Sequence, residues 1–363
     1  MKASSIIVLT MFCLFGCTPQ QSERLSVIPL ASSLENDKEI DEVPFRLTET
    51  ATVNLELTDS VIMATGIFIS ADTSIIALSN LTGVYFFSAK DGKYLSGVKK
   101  QGNGPGEYTA VHDALYDPVA HSVTILDLNL QKVLQYDMQG KCLSEHNSRG
   151  ISALEYLPAQ GGSILSINGQ TGSHIHGLGL WSSRFEPKDS VAYPLPPGKP
   201  VAYDLMVRTD FSRSGEDVCL YKEDTLFRAN RSKLVPILAV DKGRLSIPDE
   251  IMLNLDRRDE RSSYIWSDYC LLSGDFLFLR YIYRDRYYSD IWDTSTCQLR
   301  FRRVSDSNWT GFPVKTGSTE LSVWPKWAGT DALYTLLKEE DMLRLGVDPD
   351  TYNFVLLKMK WEK

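Results

Sequence analysis

Along this chain the apolar residues fall in short runs broken by turn signals, and a helical spacing of three and four is scarce. Ile67 to Ser70, Ser74 to Ser79 and Gly83 to Ser88 are rich in Ile, Phe, Tyr and Leu. Such β-branched and aromatic runs of four to eight residues are the signature of strands. Lys90-Asp91-Gly92-Lys93 follows and predicts a hairpin turn, because glycine takes the positive φ that a tight reversal demands. Further strands are predicted at Ser122 to Asp127, Lys132 to Asp137, Ser163 to Ile167, Asp217 to Tyr221, Asp275 to Tyr283, Tyr287 to Trp292, Asp331 to Leu337 and Asn353 to Met359. The fold class is all-β.

The runs repeat. The segment from Ile76 to Leu95 aligns without a gap on the segment from Thr124 to Leu143, so that Leu78 falls on Leu126 at an offset of 48 residues. Fainter echoes begin at Val218-Cys219-Leu220-Tyr221 and at Phe276-Leu277-Phe278-Leu279. A four-stranded propeller blade with its loops takes about 40 to 50 residues. Dividing the chain beyond Val43 by that period gives between six and seven blades, and arithmetic alone leaves the choice open. A propeller accommodates this many strands because radial repetition leaves only short, protected edges.

The N-terminus has a different pattern. Lys2 precedes an apolar run from Ile6 to Phe15, and Leu14-Phe15-Gly16-Cys17 follows at once. About ten apolar residues suit export but fall short of the roughly 20 that span a bilayer. With a small residue before Cys17, the order is that of a bacterial lipoprotein signal: residues 1–16 are cleaved and the Cys17 thiol carries the lipid. No other stretch approaches transmembrane length. Residues 17–42, polar and mixed, read as a flexible tether; the propeller is expected over residues 43–363. Thr18-Pro19-Gln20-Gln21 lacks an acidic cluster of the kind that marks surface export. The expected location is therefore the bacterial cell envelope, anchored in the outer membrane and facing the periplasm.

Charge narrows the partners. A formal net charge of −8 with no long basic run argues against nucleic acid. Beyond the signal, Cys142, Cys219, Cys270 and Cys297 admit three complete pairings or none, and no C-x-x-C spacing suggests zinc.

The stretch Lys99-Lys100-Gln101-Gly102-Asn103-Gly104-Pro105-Gly106-Glu107-Tyr108, followed by a strand ending Ile125-Leu126-Asp127 and by Gln135-Tyr136-Asp137-Met138-Gln139-Gly140-Lys141, resembles a known family. It is similar to the exported six-bladed β-propeller lipoproteins with NHL-like or TolB-like blades, which carry a G-x-G-P-G-E-Y signature between early blades. The resemblance runs from about Val53 to Lys360, more specific in its first half. It implies six four-stranded antiparallel blades and a lipid anchor, and it brings no catalytic residues with it.

Candidate sites are few. Gly102, Gly104 and Gly106 lack the following helix that a phosphate cradle requires. A structural turn packed by Tyr108 is the favoured reading, with ligand contact by Glu107, the loop amides or Tyr108 the alternative. His174 and His176 alternate as two metal ligands on a strand would, yet no acidic or cysteine partner lies near them. The stretch Arg280-Tyr281-Ile282-Tyr283-Arg284-Asp285-Arg286-Tyr287-Tyr288 is the densest aromatic and basic patch. It suits a hairpin turning at Arg284 to Arg286, and Arg280, Arg284 and Arg286 are also candidates for binding an anionic or carbohydrate ligand. No nucleophile elbow, S-x-x-K or H-E-x-x-H motif occurs. The expected function is a non-enzymatic, lipid-anchored module binding an envelope protein, glycan or peptide, with no cofactor predicted. The alternative is a propeller hydrolase or lyase holding a divalent cation in its central channel.

Overall fold

The computed structural model describes residues 25–362 apart from 37, 60, 64, 149–150, 158–161, 169–176, 193–209, 215–216, 223, 231–232, 253 and 330–331. Among these, the chain opens with β1 (Ser26–Ile28) and β2 (Arg46–Glu56), both of which pair with strands far along the sequence. Blade 1 follows as β3 (Ile67–Ala71), β4 (Ile75–Asn80), β5 (Gly83–Ser88) and β6 (Tyr94–Val98). Blade 2 is β7 (Asp113–Asp117), β8 (Ser122–Asp127), β9 (Lys132–Asp137) and β10 (Cys142–Asn147). Blade 3 is β11 (Ile151–Leu157), β12 (Ser163–Asn168), β13 (Gly177–Trp181) and β14 (Pro187–Ala192). Blade 4 is β15 (Asp210–Ser214), β16 (Asp217–Lys222), β17 (Thr225–Asn230) and β18 (Lys233–Val240). Blade 5 is β19 (Trp266–Ser273), β20 (Phe276–Tyr283), β21 (Arg286–Asp293) and β22 (Gln298–Ser305). A hairpin of β23 (Phe312–Thr316) and β24 (Thr319–Val323) comes next. Blade 6 is then built from β25 (Trp327–Ala328), β26 (Leu333–Leu336), β27 (Tyr352–Glu362) and, on its outer edge, the early strand β2.

Six antiparallel meanders stand around an axis, with β3, β7, β11, β15, β19 and β25 innermost; β7 meets β3 and β11, and β19 meets β15 and β25. The offset of 48 residues is the step from blade 1 to blade 2: β4 and β5 fall on β8 and β9, and Gly92 and Gly140 hold the same positive φ of 70° and 79° in equivalent turns. A side chain at 92 would collide with the Asn54 carbonyl oxygen, so the Asp-Gly pair also lets blade 1 close against β2. The ring is shut by the ten-partner register of β2 on β27, which joins the two ends of the fold in one blade.

Burial follows position in the blade. The second and third strands lie between neighbours on both faces, and β5, β8 and β20 are buried almost throughout. Outer strands are half-solvated: β10 alternates exposed and half-buried positions. The largest core cluster fills the seam between blades 5 and 6, where Phe276, Phe278 and Phe301 meet Val355, Leu357 and Met359. The β23–β24 hairpin drives Phe312, Val314, Leu321 and Val323 into that seam. It can do so because Gly311 has no side chain; a Cβ there would fall 2.0 Å from the Val323 carbonyl oxygen.

The chain joins the fold earlier than the expected boundary at residue 43. Strand β1 pairs in parallel with β18 on the outer edge of blade 4, Val27 opposite Ala239. Ile28 and Leu30 are fully buried there, and the Ala31 amide donates to the Asp241 carbonyl at 3.0 Å. Ile40 then bridges to Arg302 on the outer strand of blade 5, and β2 completes blade 6. Residues 25–42 are thus a strap across the rims of three blades, and what remains of the proposed tether, residues 17–24, lies outside the described residues, as do the signal segment and Cys17.

Cys142, Cys219, Cys270 and Cys297 are all free thiols. Cys219 and Cys270 are core residues, whereas Cys142 lies exposed on β10 and Cys297 sits in a turn at a φ of 54°.

Candidate ligand-binding cavity

In each meander the turn between the second and third strands and the link to the next blade emerge on the same face of the disc. The Gly102 to Tyr108 loop, the Arg284 turn and the links around the β23–β24 hairpin therefore share one face. What each does there differs.

The glycine-rich loop is a latch between blades 1 and 2. Tyr108 is fully buried, and its hydroxyl donates to the carbonyl oxygens of Val98 at 2.8 Å and Thr82 at 3.1 Å. Burial pushes this phenol up to about 12. The Glu107 carboxylate accepts from the Gly104 amide at 2.9 Å and lies where a side chain at 102 would have to be. The Gly106 amide donates to Glu145 at 2.7 Å, and Lys132 bridges Glu145 and the Gly104 carbonyl oxygen at 2.9 and 3.1 Å. The Gly106 amide, with Lys132 behind it, holds the Glu145 carboxyl below its ordinary range. Tyr108 and one Glu107 oxygen are thus engaged in closing the loop, while Glu107 stays half-exposed.

Arg284 and Arg286 mark the β20–β21 hairpin, as expected. Arg284 takes a φ of 53° and lies over the Tyr283 ring at 5.0 Å, while the Arg286 Nε donates to Asp306 at 2.8 Å on the surface. His174 and His176 lie outside the described residues. Among the described residues no three His, Cys, Asp or Glu side chains gather as a metal site.

Arg280 is different. It sits on β20 at the seam of blades 5 and 6, 9% exposed, and borders a cavity of about 470 Å³. Its Nε donates to the Ser289 hydroxyl at 3.1 Å and one Nη to the Thr310 carbonyl oxygen at 2.7 Å. The Ser289 hydroxyl donates to that same carbonyl at 2.8 Å, which fixes the guanidinium plane. The rings of Trp324 and Trp309 flank it at 4.8 and 5.4 Å from their centroids, and Tyr287 meets Trp309 edge-on at 5.0 Å. Among the described residues no carboxylate pairs with Arg280. Burial lowers its guanidinium to about 9, so it remains cationic at neutral pH.

Two more donors on the same wall are unsatisfied. The Trp324 indole N–H and the Thr310 hydroxyl are buried without a partner. A buried polar group left unpaired costs about 1–3 kcal/mol, and these two atoms are sealed behind the wall and do not themselves open on the cavity. Across the cavity stand Lys326, Lys338 and Arg344 with Glu340 and Asp341. Burial and the neighbouring Glu340 raise the Asp341 carboxyl, against the pull of Arg344 at 3.5 Å. Of the five ligand-binding candidates named from sequence, the structure brings Arg280 alone to the cavity. Trp309, Thr310 and Trp324 escaped the sequence reading because they flank a hairpin whose strands are too short and too mixed to stand out.

Comparison with known proteins bears on the whole disc. The family model described as "Domain of unknown function (DUF4934)" matches residues 25–350. The chain belongs to the DUF4934 family. Its match begins at the strap, in line with the folded boundary seen here. A crystal structure from Bacteroides fragilis NCTC 9343, of a protein that carries the name of an exported protein, is similar to this DUF4934 chain at a TM-score of 0.60 and 18% identity, covering 87% of this chain and 95% of that one. A member of the DUF4221 family from Bacteroides vulgatus ATCC 8482 gives a TM-score of 0.49 at 10% identity over 89% and 99% of the two chains. The first likeness shows a shared fold; the second is too distant to carry an argument. No curated protein matches the chain.

Proposed function

We propose that this protein is an exported, lipid-anchored binding module of the bacterial envelope, tethered through Cys17 to the outer membrane on its periplasmic side, which takes a small ligand in the cavity at the seam of blades 5 and 6. One observation carries the reading: a buried, rigidly oriented arginine, with no carboxylate partner among the described residues, borders a cavity of about 470 Å³. Clefts of about 300–1,000 Å³ with a few converging polar groups are characteristic of small-ligand sites. The blades hold those groups in place before binding, which lowers the entropic cost of association. Export is supported by the signal-like N-terminus and by the name of the similar B. fragilis protein. With Cys17 only a few residues ahead of Leu25, the chain between them reaches at most about 28 Å, so a lipid there would hold the disc close to the bilayer by the rim of blade 4.

The test has two parts. Radiolabelled palmitate is expected in the wild-type chain expressed in a bacterial host and absent from Cys17→Ala. A metabolite library screened by thermal shift against the mature domain should give stabilising compounds whose effect disappears in Leu336→Trp, which fills the cavity. Hits unaffected by that substitution would move binding elsewhere on the disc.

A further inference from the structure

We infer that the ligand of this cavity is a small carboxylate, bound through its CO₂⁻ group to the open edge of Arg280. The inference rests on the cavity being the binding site and adds the chemistry of what enters it.

The donor inventory leads there. Arg280 has five N–H groups in a planar fork. Nε and one Nη are used internally, by Ser289 and Thr310. The other Nη has no protein acceptor and is not among the sealed, unpartnered atoms, so that edge of the fork opens on the cavity. A cationic donor edge without an acceptor calls for a ligand that brings lone pairs and negative charge.

Charge points the same way. Lys338 and Arg344 at the cavity are offset by Glu340 at 3.9 Å and Asp341 at 3.5 Å, whereas Arg280 has no carboxylate partner among the described residues, so its positive charge is left unbalanced in a chain of net −8. Carboxylate is favoured over phosphate for two reasons. One open guanidinium edge matches a planar monoanion, whereas a phosphate dianion is usually met by several cations or by a run of backbone amides. Glu340 and Asp341 would also repel the second charge. The flanking indoles of Trp309 and Trp324 hold the guanidinium flat and keep water from competing for it. At about 470 Å³ the space suits a ligand of one or two rings.

A sugar acid and an N-acylated amino acid both supply such a group, and the experiment separates them. D-glucuronate, N-acetylphenylalanine and benzoate are titrated into the mature domain by calorimetry, each beside its neutral counterpart: glucuronate methyl ester, N-acetylphenylalanine amide and benzamide. At least one acid is expected to bind ten-fold or more tightly than its counterpart. The acid that does so identifies the source as sugar, amino acid or aryl acid. In Arg280→Met the preference should vanish, while Arg280→Lys, which keeps the charge but not the fork, should retain part of it. Acid and neutral forms binding equally would overturn the carboxylate assignment and leave the cavity reading standing. The assignment also falls if no acid binds while neutral library hits are lost in Leu336→Trp. The acid-to-neutral comparison needs only wild-type protein, so it decides the matter even if the arginine variants fail to fold.

Discussion

Arg302 is the residue on which the rim of the disc turns. It is fully buried beside an equally buried Asp290, with Nε and Nη contacts to that carboxylate at 2.9 and 2.6 Å. The Tyr281 hydroxyl donates to Asp290 at 2.9 Å, and the guanidinium reaches across to Ser33 of the strap, donating to its carbonyl oxygen at 3.0 Å and its hydroxyl at 2.9 Å. Burial drives the Tyr281 phenol well above its ordinary value, which keeps it a neutral donor. A buried pair adds little net stability against a well-packed apolar pair, but removing one partner strands the other. Asp290→Asn is therefore expected to cost about 3–5 kcal/mol in urea unfolding, and the double variant Asp290→Leu, Arg302→Leu should cost less. A single variant as stable as wild type would mean that the charge is solvated in some other way. Neither Arg302 nor Asp290 stands out in the sequence, because nothing in a local pattern reveals that a strand residue will face an N-terminal segment some 270 positions away. Arg280 was within reach, since it lies in the one dense aromatic and basic stretch; its partners across the β23–β24 hairpin were not.

Among the elements, the second and third strands of the blades were the readable ones. β5, β8 and β9 match their expected spans residue for residue, because burial on both faces leaves them mainly apolar, interrupted inside only by Thr124 and Gln135. Outer strands such as β10, Cys-Leu-Ser-Glu-His-Asn, carry no such signal, since half of each faces water. The choice between six and seven blades stayed open for a related reason. The residues beyond six periods go into the β23–β24 hairpin and the helical segments at Asp249–Met252, Leu255–Ser263 and Glu339–Arg344, none of which adds a blade. The strap itself was taken for a tether because it is polar outside its anchoring residues. Those anchors are specific: Ile28 and Leu30 sit at 0% exposure against Leu226, Leu238 and Val240. Leu30→Ala should cost about 2–5 kcal/mol by urea unfolding, as for other buried leucines, and should open residues 25–42 to limited proteolysis before the blades are cut. A cost below about 1 kcal/mol would be that of a surface residue and would return the segment to the role of a loose linker.

For the molecule as a whole, stability depends on how the inner strands hold one another, because each blade buries its faces only against its neighbours. Asp113 is one of those ties. It lies on β7, and its carboxylate accepts from the Leu154 amide on β11 of the next blade at 2.7 Å and from the Ala114 amide at 2.8 Å. Dehydration within the ring pushes this carboxyl up to about 7, with Glu155 adding to the rise and the two amides opposing it. A carboxyl whose pKa is higher folded than unfolded binds its proton more tightly in the native state. Its contribution is therefore complete below the unfolded value of about 3.8 and is lost as pH rises through about 7. Wild-type protein should accordingly show a urea midpoint that falls between pH 5 and pH 8. Asp113→Asn keeps one acceptor for the inter-blade amide and carries no titrating proton, so its midpoint should fall less over the same interval. Parallel curves for the two proteins would mean that Asp113 titrates like any surface aspartate. In that event the seam between blades 2 and 3 would owe its strength to Leu115, Leu126 and Leu154 and not to a proton held at the ring.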